Sequence, residues 1–243
     1  MISVITVVFN GENELKKTIQ SVLDQSFSDI ELIIVDGGSK DGTVGIIESY
    51  KHRITKWVSE KDSGIYDAMN KGVRMATRDY ILFMNAGDLF FDTNVLRDLH
   101  HFVSSTSQYQ IVYGDAEIVT SKGSHIQNQK NRHKDLTKSI IHQSMLIRRS
   151  HLISNPYNTR LRIMADYDNL LGISVSDPQA IIYLNRTICI YNKFGVSSIP
   201  LYRYFAEYYR IAYDRMPFWS WIRFNFYIFP RLLYSFRFLL AAK

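Results

Sequence analysis

Cysteine is nearly absent from this sequence of 243 residues: Cys189 stands alone. It can pair with no second cysteine of the chain and cannot build a thiolate zinc cluster, and a lone thiol fits a reducing, cytosolic setting. No Gly-X-Gly-X-X-Gly fingerprint follows the first apolar run, which leads into Asn10-Gly11-Glu12-Asn13 instead. That absence disfavours a nucleotide-dependent Rossmann-type oxidoreductase, and the lack of a Walker A loop sets an ATPase aside. The opening run, Ile2 to Phe9, is far too short to span a bilayer, and neither a basic leader nor a small-residue cleavage site accompanies it, so no secretory signal is expected. Internal repeats and low-complexity linkers are also missing. Acids nearly vanish after Tyr202, where only Glu207 and Asp214 stand among Arg203, Arg210, Arg215, Arg223, Arg231, Arg237 and Lys243.

What is present is a chain able to build a core, since 46% of it is hydrophobic. The first hundred residues alternate between strand and helix patterns. Ile2 to Phe9 is a continuous β-branched run of the kind buried on both faces of a parallel sheet. Leu15, Ile19, Val22 and Leu23 recur at helical spacing. Glu31 to Val35, Lys56 to Ser59 and Tyr80 to Met84 read as further strands, and Ile65 to Val73 as a helix entered through Gly64. Downstream, Ile111 to Asp115 and Ala116 to Val119 read as strands, Ser121 to Lys138 as a polar loop, Ile163 to Ile173 as a helix, and Ala180 to Tyr191 as one or two strands. The alternation predicts an α/β fold with a mainly parallel sheet. The parse is a catalytic domain over residues 1–200 and a helical extension over 201–243.

In open α/β sheets ligands bind beyond the carboxyl ends of the strands. Those ends present Asn10, Asp36 and Asp88 in turn. A lone Asp-Gly often does no more than cap a turn, but two acidic turns at strand ends converge on one crevice. A carboxylate at Asp88 suits Mg2+ or Mn2+ held together with diphosphate oxygens, because hard cations take oxygen ligands. Such an ion would neutralise a departing nucleoside diphosphate.

Four ordered blocks carry a resemblance. They are Ser3 to Asn10, Val35 to Thr43, Asp62 to Gly72 (Asp-Ser-Gly-Ile-Tyr-Asp-Ala-Met-Asn-Lys-Gly), and Asn85-Ala86-Gly87-Asp88. Together they resemble the family 2 glycosyltransferases of GT-A fold, most of all the subgroup that builds bacterial capsule, colanic-acid-type exopolysaccharide and O-antigen. The resemblance covers residues 1–200 and is densest in the first ninety or so. It implies a GT-A type, Rossmann-like mixed sheet flanked by helices, and an inverting, metal-dependent hexosyltransferase-type enzyme using a nucleotide-sugar, a UDP-sugar by family habit. It also implies that Thr6, Val8, Asn10 and Asp36 contact the nucleobase and ribose, that Asp67 and Lys71 lie beside the donor sugar and diphosphate, and that Asp88 is the metal ligand. Asn85 and Gly87 stand where many relatives have acids, which leaves a single carboxylate there.

The base expected of an inverting transfer is one carboxylate that takes the acceptor's proton. Asp166 and Asp168 are the candidates, and at about 100° per residue they point about 200° apart, so one site cannot use both. The resemblance assigns the base to Asp166, although Ala165 stands where relatives often have Glu. His142-Gln143 resembles a pair near the donor and acceptor pocket, and Phe194-Gly195-Val196-Ser197-Ser198 resembles a segment that closes the catalytic domain, as a lid or an ordinary turn.

The stretch Phe218 to Leu240 is intensely aromatic with only positive charge. Arg223, Arg231, Arg237 and Pro230 argue against a span and suit an element lying at the headgroups of a membrane. Packing on the protein itself or in a homodimer interface is the other use. A polyprenyl-diphosphate-linked saccharide as acceptor explains such a tail and predicts a peripheral position on the inner face of the cell membrane, with no nucleic-acid partner. A non-enzymatic membrane- or nucleic-acid-binding module is the rival reading, resting on the tail alone.

Overall fold

The computed structural model of the chain describes residues 1–106, 108–192, 201–222 and 224–226. Its first half is a run of β/α units: β1 (Ile2–Val8), α1 (Glu12–Leu23), β2 (Ile30–Asp36), α2 (Thr43–Ser49), β3 (Lys56–Ser59), α3 (Ile65–Met75) and β4 (Tyr80–Phe83). β5 (Leu89–Phe90), α4 (Val95–Ser105), β6 (Ile111–Thr120) and β7 (Gly123–Gln127) follow, then β8 (Met145–Arg148), α5 (Arg149–Ser154), α6 (Ala165–Ser176), β9 (Ile181–Asn192) and α7 (Leu201–Arg215). One sheet runs in the order β3-β2-β1-β4-β8-β6-β9-β5, with β7 paired to β6. β3, β2, β1 and β4 are parallel, β8 is antiparallel to both its neighbours, and β6 and β9 are again parallel. This is the mixed, mainly parallel α/β sheet expected, flanked by helices and followed by aromatic-rich helices.

Burial explains the pattern. Every residue of β1 is buried, because helices cover both faces of the parallel block and leave no face for polar side chains. α3 lies on one face so closely that a Cβ at Gly72 would come within 2.5 Å of the Ile5 side chain. On the other face α1 buries Leu15, Thr18, Ile19 and Val22.

Three local expectations shift. The two strands expected over Ile111 to Val119 are one strand, irregular in register between Tyr113 and Ala116, where a side chain at Gly114 would collide with the Arg186 carbonyl. The polar segment expected as a loop contains β7, almost wholly exposed. An edge strand with no buried face has no apolar alternation to betray it. The helix expected from Ile163 starts at Ala165, because the N–H groups of the three residues before it bond to Glu207.

The extension beyond residue 200 joins the core. Tyr208, Ile211, Ala212, Met216 and Phe224 are buried in the same cluster as Tyr167, Leu170 and Leu171 of α6. Phe194 to Ser198 and, in the tail, Arg223, Pro230, Arg231 and Arg237 lie outside the described residues.

Candidate active site

The carboxyl ends of β1, β2, β3 and β4 form one edge, and the predicted site residues gather there. Asn10 follows β1 with a positive φ of 49°, a conformation that asparagine tolerates better than most residues. Its side-chain oxygen accepts the Lys40 N–H at 2.9 Å, and its own N–H donates to the Ser39 hydroxyl at 2.7 Å. Asp36, at the end of β2, is fully buried. It accepts the Ser39 N–H at 3.1 Å and the Ser59 hydroxyl at 2.6 Å, and bonds the Ser39 hydroxyl as well. Its carboxylate is thus committed to Ser39 in the loop that follows it and to Ser59 at the end of β3. Thr6 and Val8 are buried within β1, and the Thr6 hydroxyl has no hydrogen-bond partner among the described residues.

Across this loop, the segment after β3 brings a second acid. A Cβ at Gly37 would collide with the Asp62 carboxylate, so glycine is required for that close approach. Asp62 accepts the Gly64 N–H at 2.9 Å, holding the turn that opens α3. One turn along α3, Asp67 accepts the Ser63 N–H at 3.0 Å. The Lys71 ammonium sits 3.0 Å from Glu60, 3.7 Å from Asp67 and 3.1 Å from the Lys61 carbonyl oxygen. Asp67 and Lys71 are therefore neighbours, as their i, i+4 spacing implies.

The third group centres on the turn after β4. Thr18 of α1 anchors it, its hydroxyl donating to the Asp88 carbonyl at 2.9 Å and accepting the Gly87 N–H at 3.0 Å. Asp88 is 5% exposed. Burial pushes its carboxyl up to about 6 against the opposing pull of the Gln143 amide and His142. Gln143 Nε2 donates to Asp88 Oδ2 at 2.7 Å, and the Asn192 N–H, at the end of β9, donates to Oδ1 at 3.4 Å.

From here a connected polar chain crosses the site. Asn85 Nδ2 lies 3.0 Å from His142 Nε2, and His142 Nδ1 lies 3.3 Å from Asp166 Oδ2. With the amide nitrogen facing Nε2, the imidazole proton is assigned to Nδ1, toward Asp166. The other oxygen of Asp166 accepts from the Tyr66 hydroxyl at 2.9 Å. The same hydroxyl is 2.7 Å from the Ile163 carbonyl oxygen, so its single proton is shared between two acceptors. Burial, and then the Asp166 carboxylate, keep the Tyr66 phenol well above its ordinary value, so it remains a donor.

Asp166 and Asp168 diverge as their spacing implies. Asp168 faces α7, where Arg215 grips it with two bonds of 2.7 and 3.1 Å. A surface groove here, lined by Gln110, His151, Asn155, Asp168, Asn169 and Arg215, contains Asp168 but none of the other candidate site residues.

Among the described residues, no group of three His, Cys, Asp or Glu side chains converges as a metal site. The site offers a hard cation a smaller set: the Asp88 carboxylate and the amide oxygen of Asn85, which is buried without a hydrogen-bond partner among the described residues. A buried orphan oxygen is costly, and one beside an acidic turn suits a divalent cation whose remaining ligands come from phosphates. Asp62, Tyr66 and Thr18 received no role of their own from the sequence, although the first two lie inside a motif singled out there. Gln143 was signalled as one of the His142-Gln143 pair but not as a partner of Asp88, and Thr18 by nothing beyond its polarity on an apolar helix face.

Comparison with known proteins bears on the family and the fold. The sequence model described as "Glycosyl transferase family 2" matches residues 3–164. A "PGL/p-HBAD biosynthesis glycosyltransferase" of Mycobacterium bovis is 30% identical over 200 residues, covering 80% of this chain and 78% of that protein. Among solved structures, Staphylococcus aureus TarS, residues 1–349, superposes with a TM-score of 0.71 at 17% identity, over 93% of this chain and 71% of that one. The same protein in complex with UDP gives a TM-score of 0.67, the chain spanning 63% of its length. A mannosyltransferase from Pyrobaculum calidifontis, in complex with GDP-Man and Mn2+, gives 0.61 at 17% identity, over 87% of this chain and 60% of that one. These structures share the fold; the family match and the mycobacterial relative go further, and the chain belongs to glycosyltransferase family 2.

Proposed function

We propose that this glycosyltransferase moves one sugar, with inversion, from a nucleotide-sugar to a polyprenyl-diphosphate-linked saccharide in bacterial surface-polysaccharide synthesis. The observation that carries the reading is the polar chain from Asn85 through His142 to Asp166 and Tyr66, set at the carboxyl ends of the parallel strands. One half-buried carboxylate, held on one oxygen by the Tyr66 hydroxyl and on the other by His142, is what a single-base inverting transfer needs. Asp166 takes the proton of the acceptor hydroxyl as that oxygen attacks the anomeric carbon. His142 and Tyr66 hold the carboxylate in place. Asn10 and Asp62 line the nucleoside side of the crevice, with Asp36 bracing the loop behind them and Thr6 and Val8 in the strand beneath, and Asp67 and Lys71 flank the sugar and diphosphate. Donor complexes of TarS with UDP and UDP-GlcNAc, and of the mannosyltransferase with GDP-Man, support a nucleotide-sugar, and UDP is favoured by family habit.

Asp88 and the free amide oxygen of Asn85 would hold Mg2+ or Mn2+. When bound, the ion supplies positive charge to the departing diphosphate. Gln143 and the Asn192 N–H hold the Asp88 carboxylate, and would keep it oriented toward such an ion. Capsule, colanic-acid or O-antigen assembly is proposed on the motif resemblance; the mycobacterial relatives are described as PGL/p-HBAD biosynthesis glycosyltransferases and carry no such assignment.

The tail supports a membrane-surface acceptor. Trp219 is 75% exposed and Phe226 79%, and Tyr213, Phe218, Arg203 and Arg210 are exposed as well. No helix among the described residues is long and apolar enough to cross a membrane.

The test is donor turnover over a panel of nucleotide-sugars after complete removal of divalent metal. Turnover should collapse and return with Mn2+ or Mg2+, and Asp88→Asn should raise the Mn2+ concentration required. Undiminished turnover in the chelated enzyme would remove the role given to Asp88.

A further inference from the structure

The turn that delivers Asp166 is gripped from two sides, and one grip comes from beyond residue 200. Glu207, on α7, accepts three successive backbone N–H groups through its carboxylate: Arg162 at 2.7 Å, Ile163 at 3.0 Å and Met164 at 3.2 Å. Three donors converging on one ionised acceptor is a strong, directional clamp. From the opposite side, the carbonyl oxygen of Ile163 faces the Tyr66 hydroxyl at 2.7 Å, the same hydroxyl that reaches Asp166. The residues between the clamp and the base are few. Met164 is the N-cap of α6 and Asp166 its second helical residue, so a shift of this turn moves the carboxylate directly. Arg162 extends the clamp to the donor side, its guanidinium donating to the Ser63 carbonyl at 3.1 Å in the turn that opens α3.

Nothing in the apolar packing requires an acid at position 207. α7 already buries Tyr208, Ile211, Ala212 and Met216, and Arg215 ties it to Asp168 lower on α6. Met164 is 3% exposed. Without Glu207, the N–H groups of Ile163 and Met164 would stay partly sheltered from water, and a sheltered donor left unpaired costs enough to move a short turn. An anion near a helix start also complements the positive end of the helix dipole.

We propose that Glu207 is a positioning residue for the transfer reaction: its carboxylate fixes the 162–164 turn, and so sets Asp166 against His142 and Tyr66. The helical extension is then part of the catalytic unit, whatever else its exposed aromatics do. This inference rests on Asp166 being the base.

The experiment compares Glu207→Gln, Glu207→Asp, Arg215→Ala and Asp166→Asn in the full chain. Two readouts are taken. The first is hydrolysis of the UDP-hexose turned over fastest by wild type among UDP-glucose, UDP-galactose and UDP-GlcNAc. The second is the 15N resonance of the His142 ring, assigned by its loss in His142→Asn, which needs no substrate. Glu207→Gln should lower kcat on the order of tenfold to a hundredfold, as expected for a displaced catalytic group, with KM for the donor unchanged. It should also move the His142 resonance. Glu207→Asp should recover part of both. Arg215→Ala breaks a contact on the same helix pair without touching the turn, so it should lower the melting temperature while leaving kcat and the resonance in place. If Asp166→Asn is inactive but Glu207→Gln keeps wild-type kcat and an unmoved His142 resonance, the positioning role is overturned and the base stands. If Glu207→Gln and Arg215→Ala lower activity alike, in proportion to lost folded protein, Glu207 is structural only and the proposal fails. If Asp166→Asn retains full turnover, the base assignment falls and takes this inference with it.

Discussion

Glu31 is a buried acid with no part in the proposed chemistry, and it shows how single residues stabilise this fold. It is 3% exposed and sits at the opposite end of β2 from Asp36. Ser3 donates to it at 2.7 Å, the Thr77 N–H at 2.8 Å, and Lys56 lies 3.2 Å away. Burial alone would raise its carboxyl, but the Ser3 hydroxyl, the Thr77 N–H and Lys56 outweigh it and hold the group below its ordinary value of 4.5. A depressed carboxyl contributes stability above its unfolded-state value, and that contribution is lost as pH falls through the folded one. Glu31→Gln should cost about 1.5–3 kcal/mol at pH 7, by loss of charge-assisted bonds. The deficit should shrink below about pH 4.5 in denaturant titrations across pH. The same scale separates what could be read in the sequence from what could not. Asn10, Asp36 and Asp88 were legible because strand ends are local patterns and the topology brings strand ends together. Tyr66 as a partner of Asp166 was not, because the two stand a hundred residues apart and a hydrogen bond between two helices distant in sequence leaves no mark on the local pattern. Asp36 shows the complementary limit: its place was readable, but its commitment to Ser39 and Ser59 was not.

Among the elements, α7 has the most unlike faces. Its composition suggested a surface helix, and half of that is so: Tyr209 and Tyr213 remain exposed, while Tyr208, Ile211 and Ala212 are buried against α6. Aromatic and basic composition describes both faces equally, so only the partner helix decides which one is covered. Ile211 is 3% exposed, and Ile211→Ala should destabilise the protein by about 2–5 kcal/mol, read as a lower midpoint in denaturant. An unchanged midpoint would mean that α7 is detached in solution. The parallel block was legible throughout, since continuous β-branched runs alternate with helical spacing. β7 was missed because an exposed edge hairpin needs no apolar pattern, and the start of α6 was misjudged by two residues because a distant glutamate, rather than the local sequence, sets it.

At the scale of the whole molecule, a glycosyltransferase sheet presents its site on one edge while a basic, aromatic extension packs beside the helix carrying the proposed base. Headgroup contact by that extension predicts co-sedimentation with vesicles containing anionic lipid, weakened at high salt. Tyr213→Ser, Phe218→Ser and Trp219→Ser together should reduce it without lowering the melting temperature. Equal binding to neutral vesicles would remove the electrostatic part of that account. Fold and family were legible because four separated motifs had to agree; sugar and acceptor were not, because they depend on side chains that no motif constrains. The central claim, a single-base inverting transfer, has a direct stereochemical readout. Proton NMR of the sugar released or transferred in the first turnovers from a UDP-α-hexose should show the β-anomer first, with the α-form appearing only by later mutarotation. An α-anomer formed at the outset would contradict it.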